Sequence, residues 1–348
     1  MNGRRRITRS ITAALCCMNL YAANAQDIHF SQFYETSILR NPSLTGLFAD
    51  DYKVAALYRN QWSSVSKPYQ TGLVNIESRF LLNDVNDYIS VGLLGYYDKA
   101  GSVNLTTTAF YPAVNYNKSL KDANNSYLSV GFTGGYIQRN YDPSKATYNN
   151  QFQNGSYSAE NPTGESLNTN NFSYFDVGAG VTYSSTAGDP DNGLNYIIGL
   201  AGYHFLQPAN SFEKNNSVRL GMKWNLNASI SKQVNDKFSF QVHANYSKQS
   251  IYNEIVLGGL LGWNKRGPNG ELLFIVYGGA FIRFGDAIIP TVRMRYKDVS
   301  FTLAYDLNLS KLRAASNMRG GFEFSIIKTG LINNPERAKS RTICPEFY

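Results

Sequence analysis

From Val218 to Ser231 the chain alternates without a slip. Val218, Leu220, Met222, Trp224, Leu226, Ala228 and Ile230 are apolar, while Arg219, Gly221, Lys223, Asn225, Asn227, Ser229 and Ser231 are polar or small. A period of two puts one set on each face of an extended strand, so this segment has one greasy and one wet side. The same pattern runs through Phe238, Phe240, Val242, Ala244 and Tyr246, and through Val299, Phe301, Leu303, Tyr305 and Leu307. Segments of this kind are predicted at 52–60, 68–80, 88–98, 104–118, 126–141, 172–184, 194–206, 217–232, 237–248, 252–264, 271–284, 287–297, 299–308 and 318–328. They number about fourteen and are joined alternately by compact polar turns and by longer loops, the longest over 142–171. The longest apolar runs, 272–282 and 255–263, are too short for a helix to cross a bilayer, which takes about 20 residues, and match the 9 to 11 of a tilted membrane strand. The expectation is an all-β chain: one antiparallel transmembrane β-barrel of about 14 strands, with short turns and both termini on the periplasmic side. A soluble sandwich is the competing fold, but it would have to bury the polar face of each strand. In lipid a closed barrel is the sheet that satisfies every backbone group. Pro112 and Pro290 fall inside predicted strands, where each removes a ladder donor.

Composition agrees with this reading. Of 348 residues, 43% are apolar and only 17% charged, and Gly 29, Tyr 25, Phe 20 and 37 Asn suit pleated surfaces joined by turns rather than a helical bundle. The formal charge of +8 is misleading. Arg4, Arg5, Arg6 and Arg9 precede an uncharged stretch, and Ala23-Asn24-Ala25 before Gln26 has the small-x-small form of a signal-peptidase site. Residues 1–25 are therefore expected to be a cleaved signal peptide, with the cut between Ala25 and Gln26, leaving net +4 and no basic stripe for nucleic acid. Cys16 and Cys17 leave with the signal, so Cys344 is expected to remain as a free thiol or an intermolecular partner.

Chemical motifs are scarce. His29, His204 and His243 lie far apart without metal-ligand spacing, and neither cofactor nor metal is expected. His243 reads as a lumen-facing polar residue and His204 as a loop brace. A barrel lipase would need a serine, a histidine and an orienting group together, and no motif supports that. Gly178-Ala179-Gly180 sits in a strand-like run with no helix after it, so it reads as strand glycine and not as a dinucleotide fingerprint. Trp62, Trp224 and Trp263 fit interfacial girdles. Lys53, Arg59, Arg219, Lys223, Arg293 and Arg295 share parity with the polar faces. They are expected to line the lumen or its mouths, either balanced by acids such as Asp306 and Glu323 or as the lining of an anion channel.

Several ordered blocks resemble one family. Residues 26–34, containing Phe30, Gln32 and Tyr34, are followed by Asn41-Pro42-Ser43-Leu44-Thr45-Gly46. After them come Gln61-Trp62, then Asp98 with Gly101, and His204 running into Gln207-Pro208. Asp306 and the terminal Cys344-Pro345-Glu346-Phe347-Tyr348 complete the set. This series resembles the PorP/SprF proteins, outer-membrane components of the type IX secretion system and, in some species, of gliding motility. Arg40 replaces the Leu usual in the family before Asn-Pro, and Glu346 replaces its usual base. The resemblance implies a non-enzymatic outer-membrane component that scaffolds secretion machinery and exported cargo such as adhesins. Its partners would be outer-membrane lipids, other secretion components in the periplasm or outer membrane, and the cargo itself, with no nucleic acid. It also makes the motif positions structural or partner-binding candidates. The expected organisation is a signal peptide (1–25), a periplasmic N-terminal segment (26–51), a barrel (52–328) and a periplasmic C-terminal tail (329–348). The alternative is a passive diffusion or uptake channel for a small solute.

Overall fold

The computed structural model describes residues 27–332 except 83–85, 165–168, 190–192, 214–217, 269–270 and 311–312. The expected signal peptide (1–25), the expected cleavage residues Ala25 and Gln26, and Cys344 and Pro345 lie outside the described residues. The first strands are β1 (Tyr52–Gln61), β2 (Tyr69–Leu81), β3 (Tyr88–Ala100), β4 (Leu105–Ser119) and β5 (Tyr127–Asn140). A two-residue pair, β6 (Phe152–Gln153) and β7 (Ser156–Tyr157), interrupts the series in a long loop. It is followed by β8 (Asn171–Ala187), β9 (Leu194–Tyr203), β10 (Lys223–Gln233), β11 (Phe238–Gln249) and β12 (Tyr252–Arg266). The last are β13 (Leu272–Arg283), β14 (Ala287–Tyr296), β15 (Val299–Asn308) and β16 (Arg319–Gly330). Every strand but β6 and β7 joins one closed antiparallel ring of fourteen, in which β5 pairs with β8 and β1 closes on β16.

The alternation seen in the sequence becomes inside and outside. Leu261, Phe175 and Leu303 on the outer face are 71%, 69% and 65% exposed, which suits lipid contact. Asn75, Asn115, Asn227 and Ser129 on the inner face are fully buried. The shortest strands of the ring, β1, β9, β14 and β15, have 10 residues each. At about 3.3 Å per residue and a tilt near 40° they just cover the roughly 25 Å apolar band of an outer-membrane barrel. Both prolines are accommodated because they point outward, and each interrupts pairing with one neighbour: β4 with β5 beside Pro112, β14 with β15 beside Pro290.

Two expectations need correction. The alternation from Val218 forms strand only from Lys223, and Arg219 sits exposed in the β9–β10 loop, bridged to Ala209. Residues 26–51 were expected in the periplasm. The described part, 27–51, instead lies inside the ring, because its polar side chains find their partners on the inner faces of the strands. Two residues of the predicted tail, Thr329 and Gly330, complete β16, and residues beyond 332 lie outside the described set.

Candidate functional site

The strap formed by residues 27–51 crosses the whole lumen, and its contacts descend in order. Asp27 sits at the long-loop mouth: its backbone N–H donates to Gln249, its carboxylate meets His204 at 2.7 Å, and Lys223 lies 3.5 Å away. Ser31 and Gln32 donate their backbone N–H groups to the Glu323 carboxylate at 2.6 and 2.8 Å. Glu35 pairs with Arg293, and Ser37 donates to Glu77. Arg40 reaches the Ala228 and Ala244 carbonyls, each at 3.0 Å. Asn41 donates to Asn227 at 3.0 Å, while its oxygen caps the turn Pro42–Leu44 by accepting from the Ser43 N–H. At the short-turn end the Phe48 and Ala49 carbonyls accept from Arg79, and the Asp51 N–H begins the pairing with β16. The strap thus enters at one mouth and leaves at the other.

The strap backbone, which turns through short helical segments at Phe33–Glu35, Ser37–Arg40 and Pro42–Leu44, could not lie close against a sheet lined with bulky side chains. The wall therefore carries glycine where the strap comes closest: an added Cβ on Gly131 would lie 2.4 Å from the Pro42 backbone, and one on Gly180 would lie 2.0 Å from the Asn41 amide oxygen. Gly46 has a φ of +75°, and its N–H donates to Glu77 at 2.7 Å. A side chain there would meet Ser90 and adopt a disfavoured backbone conformation, so Gly46→Ala should lower the unfolding temperature while Ser43→Ala, whose backbone is ordinary, lowers it less.

Apolar anchors alternate with these polar contacts. Phe30 and Ile38 join Leu57, Leu73, Leu94 and Ile137. Phe33 and Tyr34 join Leu260, Tyr277, Phe281 and Ile289, with Tyr34 stacked between His243 and Phe281 at ring separations of 4.8 and 5.0 Å. Leu44 and Leu47 pack on Ile197.

Besides the Glu35–Arg293 pair, two further buried ionic groups hold the strap. Near the long-loop mouth, Arg59 pairs with Glu323 at 2.5 Å and Asp306 at 3.1 Å, and Arg283 also reaches Asp306 at 3.1 Å. Ser31 donates to Asp306 at 2.5 Å and accepts from Arg283 at 2.6 Å. Deeper down, Lys53 and Glu77 form a fully buried pair at 2.8 Å, and Glu77 also receives Asn75. Removing one partner of such a pair leaves a charge without its counter-ion, at a cost of about 3–5 kcal/mol. Arg59→Met is therefore expected to lower the chemical-denaturation midpoint strongly, whereas Lys118→Met, which removes a pair with Asp87 in which the lysine is half exposed, should change it little.

The latch at the mouth carries a pH signature. Burial alone would depress the His204 imidazolium, but the Asp27 charge and the bonds to Asp176 and Asp27 outweigh it and raise its pKa from 6.5 to about 9. Burial opposes the Asp27 carboxylate, yet His204 and Lys223 hold it well below the usual carboxylate range. The stabilisation from His204 is complete below about pH 6.5 and is lost as pH rises through 9. That from Asp27 is complete above about 3.8 and is lost in stronger acid. Amide exchange of residues 27–34 should accelerate between pH 7 and 10 beyond its intrinsic dependence, and His204→Gln should flatten the excess.

The motif positions divide into two sets. Phe30, Gln32, Tyr34, Asn41, Pro42 and Gly46 form the strap, and Asp306 is drawn to it. His204 clasps its start, with a φ of +61°, in a loop where Gln207 also has positive φ and precedes Pro208. Gln61, Trp62, Asp98 and Gly101 lie apart from the strap. Trp62 turns the β1–β2 loop onto Tyr69, Asp98 accepts from Thr71 at 2.7 Å, and Gly101 has a φ of +68° in the β3–β4 turn. Inward parity did place Lys53, Arg59 and Arg293, with Asp306 and Glu323 as balancing acids. Glu35, Glu77, Asp176 and Arg283 were not singled out, although the same parity would have found the three that lie on strands.

Above the mouth the long loops pack together. Phe212 lies edge-on to Tyr141 and Phe172, each at 4.8 Å, and Arg139 donates to Asn210 at 2.9 Å. The hairpin of β6 and β7 turns through Asn154 and Gly155, both with positive φ, and displays Phe152 and Tyr157 as an exposed cross-strand pair.

Among solved structures, the chain is similar to the toluene transporter TbuX of Ralstonia pickettii. That match has 10% identity, covers 84% of this chain and 93% of that one, and has a TM-score of 0.47. It is also similar to BamA from Haemophilus ducreyi, at 9% identity, 80% and 70% coverage and a TM-score of 0.42. No curated protein sequence matches. A family model described as the type IX secretion system membrane protein PorP/SprF matches residues 22–327, nearly the whole chain. The ring, the ordered motif blocks and that match agree: the chain is an outer-membrane β-barrel belonging to the PorP/SprF family of type IX secretion membrane proteins.

Proposed function

We propose that the protein is a non-enzymatic scaffold of the type IX secretion system that holds exported cargo, such as adhesins, at the cell face. The observation that carries this reading is the strap: its side chains and an unbroken series of contacts occupy the lumen from mouth to mouth, so the barrel acts as a platform and not as a conduit. The described parts of the loops over 141–170 and 204–222 supply the outer surface, and the uncharged hairpin with Phe152 and Tyr157 is its most exposed aromatic feature. Cargo would dock there, while other secretion components would engage the short-turn side and the C-terminal tail.

The test compares cells lacking the gene with cells carrying Phe152→Ala/Tyr157→Ala. The deletion should strand exported adhesins in the periplasm, and the double variant should assemble normally yet retain severalfold less cargo at the surface. Normal surface delivery without the gene would overturn the scaffold role. An intact cargo level in the double variant would overturn the docking site alone. A diffusion channel would give steady anion-selective current steps in planar bilayers, where a strap-filled barrel gives none.

A further inference from the structure

We infer that β12–β16 carry, at their short-turn ends, a binding site for anionic phospholipid. The strand register sets out the site. Lys265 on β12 lies opposite Phe274 on β13, Phe274 opposite Tyr296 on β14, Tyr296 opposite Val299 on β15, and Val299 opposite Lys328 on β16. All five occupy outward positions, so one row across the lipid face reads cation, ring, ring, aliphatic, cation. Four strand spacings of about 4.8 Å place the two end lysines roughly 19 Å apart along the wall. Lys297, exposed in the β14–β15 turn, stands between them just beyond the row.

Charge is distributed unevenly around this rim. The half from β10 to β16 carries Lys232, Lys237, Lys265, Arg266, Lys297 and Lys328 against Asp236, Glu271 and Asp298. The half from β1 to β9 has, among its exposed described charges, only Lys118 and Lys121 against Asp122 and Asp189, and Lys118 is already paired with Asp87. Among the described residues no carboxylate comes within ion-pair distance of Lys265 or Lys297, and Lys328 meets Asp298 only at 3.9 Å with both side chains about half exposed. A water-facing patch could serve an acidic protein. Here the lysines stem from lipid-facing positions beside Trp263, whose ring packs on Phe274 at 5.9 Å, so they emerge at headgroup depth with acyl-chain surface directly above. A phosphate monoanion between Lys297 and either end lysine, with its chains along Phe274, Tyr296 and Val299, satisfies both halves of that surface. Short turns face the periplasm, so the lipid comes from the periplasmic leaflet.

Trp263 supplies the reporter, because Trp62 and Trp224 lie at the opposite rim and can be changed to Phe. The full chain in this background is reconstituted in phosphatidylcholine vesicles holding a minor fraction of brominated phosphatidylcholine or brominated phosphatidylglycerol. Quenching of Trp263 should favour the glycerol lipid several-fold at low salt, and the preference should shrink at high salt. Each lysine near an anionic surface contributes up to about fivefold, so K265Q/K297Q/K328Q should abolish the several-fold preference and leave parity. The matching Arg variant should keep it, as should Lys248→Gln at the other rim. Equal quenching by the two lipids, or an unchanged preference in the triple Gln variant, would overturn the site. An arc that serves an acidic protein segment would give the first of these results.

Discussion

Cells that express the chain without residues 27–48 are expected to make no closed barrel. The shortened protein should be absent from the outer membrane or degraded, and in detergent it should lack the shift in electrophoretic mobility on heating that marks a folded barrel. Phe30, Phe33, Ile38, Leu44, Leu47 and Phe48 are each no more than 7% exposed. At about 1.5–3 kcal/mol for each fully buried large side chain, their loss removes on the order of 10 kcal/mol, comparable with the whole stability of a typical domain. The deletion also leaves Arg293 without Glu35, and Glu77 without Ser37 and the Gly46 N–H. Supplying the strap as a separate peptide during refolding should restore some heat-modifiable barrel. A deletion variant that closes and inserts normally would show that the ring holds itself together and the strap is an accessory.

An epitope inserted directly before Asp27 should be stained on intact cells, while one after Tyr348 should be stained only after the outer membrane is opened. The strap runs from the long-loop mouth to β1, and long loops face outward in outer-membrane barrels, so its start lies at the cell surface. Staining of both tags only in permeabilised cells would place the start of the strap in the periplasm and contradict the order of contacts seen here. The outcome also bears on assembly. A start at the surface requires the strap to be enclosed while the ring closes, since the packed lumen leaves no way to thread it later.

How much of this could be read in the sequence varies with the range of the forces involved. Strand positions emerged within a few residues for most of the fourteen because period-two alternation is imposed locally, by lipid on one face and polar neighbours on the other. Its one large failure, at 218–222, is instructive: alternation is necessary for a strand but does not supply a partner, and only from Lys223 onward do β9 and β11 flank the segment. Parity likewise marked Lys53, Arg59 and Arg293 as inward, since that too is a property of a single strand. The pairings among them were not legible. Ser31 meets Glu323 across 292 positions and Arg40 meets Ser229 across 189, and no local pattern encodes such distances. Arg40 shows the limit most clearly. In the sequence it is a departure from a family motif, and in the structure it is an internal tie to β10 and β11.

The sequence by itself determined that this chain is an antiparallel membrane sheet of about fourteen strands, which face is wet, and which family its motif blocks resemble. Those properties follow from composition, alternation and ordered short motifs, each carried by residues close together in the chain. Only the tertiary structure decided that residues 27–51 fill the ring instead of hanging below it. The segment mixes Ser, Gln, Asn, Thr and Arg with Phe, Ile and Leu at no single period, so its sequence does not say what covers it. It becomes interior only when the closed barrel presents buried carboxylates, guanidinium groups and amides at matching heights, so that leaving the strap in water would leave those groups unpaired.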